Sequence, residues 1–255
     1  TKGPLGNANV TAYSISGGQM GATIGSTMTD TNGNFSMGIG SYAGPVMLQV
    51  SGGSYKDEAT GTTMSMAQGD VMTAIMPTVA ANSNTAGIQV TPVTGMAQTL
   101  AQSMTGGMTD ANIASANAAM GSYFSVSDVL RVAPMNPLVP GSGTGASQDA
   151  RNYGMTLAAM SQYAKNLNMA GSSAMVTALL SDASDGMMDG KKGSAPVSMS
   201  MGGMMGTSAM ASNAGTSGLA SAMTTFANSA GNMSGVTATD MSGLTQKLNT
   251  SNGRF

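Results

Sequence analysis

The sequence predicts an α+β protein, with an N-terminal β-sandwich over residues 1–92 followed by an α-helical domain over residues 93–255. Three observations carry this. Up to about Pro92, short runs alternate polar and apolar residues with a period of two and are separated by Gly, Asn and Asp. Beyond Pro92, apolar residues recur at every third or fourth position. Finally, 41% hydrophobic residues in a chain of 255 are enough to bury a core.

Taken in order, Asn9 to Ile15 alternates, with Val10 and Ala12 on one side and Thr11, Tyr13 and Ile15 on the other, and Gly17-Gly18 then turns the chain. Thr23 to Thr29 reads as a second strand. Asp30-Thr31-Asn32-Gly33-Asn34 is a turn signal built from residues that tolerate positive φ, and Phe35 to Ile39 reads as the strand that completes this hairpin. Pro45 to Val50 is an apolar run suited to a central strand. Ser54 to Glu58 and Thr62 to Met66 extend the sheet, and Ile88 to Thr91 closes it. Strands spaced by roughly 8 to 12 residues are those of a sandwich.

In the second half, Met96, Leu100 and Met104 fall on one helical face. Ile113, Ala116, Met120 and Phe124 repeat the pattern behind Thr109, an N-cap residue. Pro134, Pro137, Pro140 and the Gly141 to Gly145 stretch make residues 134–146 a surface loop or linker. The strongest helix runs from Ser147 to Asn168, with Tyr153, Leu157, Met160, Ala164 and Leu167 on one face. Ala174 to Leu180 follows as a short helix, then one marked by Leu219, Met223, Phe226 and Ala230, and a last one marked by Met241, Leu244 and Leu248.

The run Gly3-Pro4-Leu5, Val10 to Tyr13, Thr29 to Phe35 and Gly44 to Leu48 resembles the carboxypeptidase regulatory-like domain, a transthyretin-type β-sandwich of bacterial surface proteins and lipoproteins. The resemblance covers about residues 1 to 92. It implies a secreted or surface-displayed module, mostly non-catalytic in that family, and no particular ligand. A sandwich followed by a helical region containing Asp185 to Gly190 also resembles uncharacterised bacterial extracellular lipoproteins, although the lipid-bearing cysteine is absent here.

Composition removes most catalytic classes. The chain has no histidine, cysteine or tryptophan and one glutamate, Glu58, so the usual proton carriers and nucleophiles are missing. Gly-x-Ser-x-Gly has no histidine to serve it, no Ser-x-x-Lys pair occurs, and no Gly-rich stretch ends in Gly-Lys-Ser/Thr. Paired aspartates such as Asp182 and Asp185 keep a hydrolase as the last-ranked reading. Nine scattered basic residues speak against nucleic acid. No run approaches the roughly 20 apolar residues of a membrane helix. Thr1 reads as the start of a processed or ordered region, with an anchor upstream compatible with it.

Three groups of residues are candidates for chemistry. Seven of the 27 methionines lie between Met187 and Met210, a density of thioethers that suits Cu(I). Against that stands replacement of leucine by methionine throughout, with Met20, Met28, Met37, Met47, Met72, Met155, Met160 and Met175 at core positions. Asp182, Asp185 and Asp189 are close enough to converge on calcium, without EF-hand spacing, or else to form Asp-Gly turns that end a helix. No cofactor is expected, with calcium at these three aspartates as the alternative. Lys2, Lys56, Asp57 and Glu58 allow a Lys–Asn crosslink of the kind found in related surface domains, or an ordinary solvated charge cluster.

Only 8% of residues are charged, against about 25% in an average domain, and the formal net charge is -2. Copies of such a chain repel one another weakly. The expected function is therefore an extracellular, non-enzymatic structural protein that assembles with itself into a filament or surface layer, Thr1 to Tyr13 adding to a neighbour's sheet edge. The alternative is a surface-anchored module for calcium or a small ligand. Sequons at Asn9, Asn34, Asn232 and Asn249 allow surface glycans, although such triplets also arise by chance in a chain this rich in Asn, Ser and Thr.

Overall fold

The computed structural model describes residues 4–169, 171–201 and 206–255. Among them, six strands precede Pro92 and six helices follow it. The strands are β1 (Asn9–Ser16), β2 (Gln19–Met28), β3 (Gly44–Ser51), β4 (Ser54–Lys56), β5 (Thr63–Ser65) and β6 (Val71–Val79). β1, β2, β3 and β6 form one antiparallel sheet in the order β2-β1-β3-β6, and β4 pairs with β5 in a two-stranded ribbon. Gly17 and Gly18, at φ 57° and 74°, make the two-residue turn between β1 and β2 that matches the twist of a hairpin. Gly18 also lies against Gly106, where a Cβ would collide with the backbone, and its carbonyl accepts from Met108 N at 2.8 Å.

The alternation along β1 and β3 sends side chains to two different layers. Ile15, Met47 and Ile75 join the core of the helices, whereas Ala12, Val46, Leu48, Ala74 and Met76 form a second cluster on the opposite face. That second face is covered by irregular chain. Phe35, Met37, Ile39, Tyr42, Ile88 and Val90 pack on it half-buried, and the expected strands over Phe35–Ile39 and Ile88–Thr91 have no strand partners. Their period of two is real, since Phe35, Met37 and Ile39 point inward while Ser36 and Gly38 are exposed. The inward side chains meet the face of the sheet rather than its edge, so the backbone has no strand in register. β6 is the opposite case, a nine-residue strand where the sequence reading placed none.

Helix α1 (Pro92–Ser103) begins with a full capping box. Thr91 Oγ1 accepts from Thr94 N at 3.3 Å and Thr91 N donates to Thr94 Oγ1 at 2.8 Å, with Pro92 in the first turn. Thr109 caps α2 (Asp110–Phe124), and Ser147 caps α3 (Gln148–Asn166). α4 (Ser172–Ala183), two short ribbons made by β7 (Lys191–Lys192) with β8 (Ala195–Pro196) and by β9 (Ser198–Ser200) with β10 (Thr207–Ala209), a π turn at Ala214–Gly218, α5 (Leu219–Ala227) and α6 (Ser242–Thr250) complete the chain. Residues 134–146 are irregular, as expected, but are fastened by Met135 N to Ala150 O at 2.9 Å and Gly143 N to Ser234 O at 3.0 Å.

α3 is the central helix, buried continuously from Asn152 to Gln162 and packed by α4 and α5. α1 and α2 lie between it and the sheet, against β6. The largest hydrophobic cluster runs from Ile15, Met47 and Ile75 through every helix, so it crosses residue 92 without a break. Among the described residues no helix is long and apolar enough to cross a membrane.

Candidate functional site

The two outer strands of the sheet are finished differently. β6 is closed off by side chains of the neighbouring helices. Thr94 Oγ1 donates to Thr73 O at 2.7 Å, Asn117 Nδ2 donates to Ile75 O at 3.0 Å, and Asp110 accepts from both Thr78 N at 2.8 Å and Thr78 Oγ1 at 2.5 Å. Pro77, which has no N–H, occupies the next position along the same side. β2 has only β1 beside it among the described residues. Its ten residues include no charge and no proline, the usual guards of an exposed edge. Met20 and Met28, at 51% and 57% exposure, are the two most exposed of the large apolar side chains, so the expectation that both are core residues is corrected. Two breaks in register against β1 leave Gly25 to Met28 as the longest regular stretch of this edge.

β1 is paired on both sides, with β2 and β3. Asn9 to Tyr13 is therefore not a free strand to add to a neighbour's sheet. The edge that stands open is its partner β2, and Thr1 to Gly3 lie outside the described residues.

Among the described residues three carboxyls are buried, those of Asp57, Glu58 and Asp182. Asp57 Oδ1 accepts from Ala59 N at 3.2 Å and from Thr60 N and Oγ1 at 3.1 Å. Glu58 Oε2 accepts from Ser161 Oγ of α3 at 2.7 Å, and burial pushes its carboxyl above the usual range. The reading of a solvated cluster is thus corrected for the two acids, Asp57 being buried within its own turn and Glu58 against α3, whereas Lys56 is exposed. Lys2 lies outside the described residues.

Asp182 stands in the last turn of α4, and Asp185 and Asp189 stand in the loop that follows it and folds back over Asp182. Asp182 Oδ1 accepts from Gly190 N at 2.8 Å and Lys191 N at 3.0 Å. Asp185 accepts from Met187 N at 3.2 Å and Gly193 N at 2.5 Å, and Asp189 accepts from Lys191 N at 3.0 Å. Their oxygens thus hold the loop's own N–H groups, and among the described residues no group of three or more acids is gathered so as to hold a metal. Asp182 Oδ2 is buried without a partner. Burial pushes Asp182 up to about 7, with the charges of Asp189 and Asp185 adding to the shift and its two N–H bonds opposing it.

The methionine-rich stretch fills the interior. Met188, Met199 and Met210 are buried in the main core and Met201 packs against it, which places thioethers among apolar neighbours; Met204 and Met205 lie outside the described residues. Of the four sequon asparagines, Asn9, Asn34 and Asn249 are exposed, whereas Asn232 Nδ2 donates to Ala227 O at 2.9 Å and Val236 O at 2.7 Å. No family model, no curated protein and no solved structure matches this chain.

Proposed function

We propose that this is a non-enzymatic structural protein of the extracellular space or cell surface, which associates with copies of itself through the free edge of β2. The observation that carries the reading is the contrast between the two edges of one sheet, β6 sealed by Thr94, Asn117 and Asp110 and β2 left open and uncharged. Main-chain donors and acceptors on an open edge pair readily with another strand. The low charge of the whole chain adds little repulsion to oppose the contact.

Because β6 is sealed, the partner for β2 is β2 of a second copy, in antiparallel register about a two-fold axis. That contact closes on itself. A filament or layer then grows by using a second surface between such pairs. In the same reading, residues 1–92 are a relative of the transthyretin-type sandwich in which the strap Phe35–Tyr42 and the segment Ile88–Val90 stand where a second sheet would lie.

Sedimentation velocity over a range of concentrations, together with negative-stain electron microscopy, tests this directly. The native chain is expected to form dimers and larger ordered particles. Placing lysines at the exposed edge positions Thr23 and Ser26 is expected to weaken association at least tenfold while leaving the melting temperature of the monomer unchanged. A native protein that stays monomeric at millimolar concentration would refute the proposal.

A further inference from the structure

The methionines of this protein divide sharply by exposure. Among the described residues 17 are buried, and Met20, Met28 and Met233 are the exposed ones, at 51%, 57% and 41%. Met20 and Met28 share the strand β2, one near its start and the other at its end. Opposite residues of an antiparallel pair lie on the same face of a sheet. Met20 lies opposite Ile15 and Met28 opposite Asn9, so both stand on the face that carries Ile15 and Met47 into the helical core.

The two faces of β2 are finished differently. On the other face the strap comes close, since a Cβ on Gly25 would collide with the carbonyl of Gly38 and touch Ile39 and Met37. On the face of Met20 and Met28 the strand is bare: Thr23 and Ser26, opposite Tyr13 and Thr11, are exposed as well. Met47, on this face two strands away, is 4% exposed.

With no cysteine in the chain, thioethers are the only sulfur that an oxidant meets. A hydroperoxide transfers one oxygen atom to an exposed thioether. The O–O bond breaks as the sulfur–oxygen bond forms, sulfur gives up two electrons, and with hydrogen peroxide the remaining oxygen leaves as water. The product is a polar, chiral sulfoxide, which sulfoxide reductases return to the thioether.

We propose that Met20 and Met28 form an oxidation site for hydroperoxides that switches off association through β2. This deepens the assembly proposed above and rests on β2 being the contact between copies. In an antiparallel pair the Met20 end of one β2 lies beside the Met28 end of the other, so each thioether is covered by the second copy. A sulfoxide there carries into the contact an acceptor that must be stripped of water. Neither side chain belongs to a hydrophobic cluster of the described residues, so oxidation acts on association and leaves the stability of the monomer intact.

To test this, the native chain, diluted to its monomeric state, is treated with hydrogen peroxide, and oxygen uptake at each methionine is followed by peptide mass spectrometry. Met20 and Met28 are expected to oxidise at least about tenfold faster than Met47. Sedimentation velocity of the oxidised protein is expected to show association weakened about tenfold, with recovery after treatment with the two stereospecific sulfoxide reductases and a dithiol. Its melting curve by circular dichroism is expected to match that of untreated protein. The double variant Met20→Leu, Met28→Leu is expected to associate equally before and after peroxide, although Met233 is oxidised. Met20→Gln, Met28→Gln, which places polar groups on this face without an oxidant, is expected to associate weakly. Met20 and Met28 oxidising no faster than Met47, oxidised native protein associating as tightly as untreated protein, or a leucine variant as peroxide-sensitive as the native chain each overturns the proposal while leaving assembly through β2 in place. A native chain that never associates overturns that assembly, and this proposal with it.

Discussion

Methionine does the work of leucine inside this protein: 17 methionines of the described residues are buried, against nine leucines. The thioether is unbranched and adapts to irregular gaps, which suits a core threaded by glycines such as Gly154, packed on the Met135 backbone, and Gly215, packed on the Met188 side chain. The residue with the largest consequence is Asp182. Its folded-state value of about 7 lies above the ordinary 3.8, so the folded protein holds a proton there that the unfolded chain releases. The stability this contributes is fully present below about pH 4 and is lost as pH rises to about 7, a change on the order of a few kcal/mol. Asp182→Asn keeps an acceptor for the Gly190 and Lys191 N–H groups without the buried charge. Its melting temperature is expected to exceed that of the native chain by several degrees at pH 8 and to lose that advantage at pH 4. Melting curves followed by circular dichroism at pH 4, 6 and 8 check this, and parallel pH profiles for the two proteins would contradict it.

At the scale of elements, the helices are more legible in the sequence than the strands. Thr109, Ser147 and the apolar faces of α1, α2 and α3 are local signals, set by hydrogen bonds within a few residues and by a period that survives any tertiary context. β6 carries no strand signal in the sequence for a physical reason. Val71 to Met76 is apolar on both faces because one face meets α1 and α2 and the other the strap, so it shows no alternation, and Pro77 argues against a strand unless its edge is known to face outward. Thr94 joins the two kinds of element, since its hydroxyl accepts from Thr91 N and also lies 2.7 Å from Thr73 O. Thr94→Ala is therefore expected to cost about 2 kcal/mol by denaturant unfolding, with Thr94→Ser recovering most of it. A loss below about 0.5 kcal/mol would show that the cap and the strand contact are dispensable.

For the whole molecule, the decisive feature is the cluster that joins Ile15, Met47 and Ile75 to all six helices. A shared core couples the sheet to the helices, and unfolding is expected to be a single transition with equal calorimetric and van't Hoff enthalpies. Ile75→Ala, at a fully buried position, is expected to remove about 3 kcal/mol from that one transition. Residues 1–92 alone are expected to show no cooperative melting, because the helix-facing side of the sheet would be bare. Two resolved calorimetric transitions in the native chain would mean that the halves fold independently. The open edge of β2 also belongs to this scale, since it becomes an edge only once β1 is seen to be central.

By itself the sequence determined the order of strands and then helices, the Thr109 cap, the turn at Gly17-Gly18 and the lack of the residues that most catalysis requires, because each of these is read from composition or from neighbours within one turn or one hairpin. Only the tertiary structure decided which strand is left open, that Phe35 to Ile39 covers a face instead of pairing, and that Asp57, Glu58 and Asp182 are buried. Those outcomes depend on which distant segments meet. Burial of Glu58 beside Ser161, 103 positions away in the chain, is set by packing that no local pattern encodes.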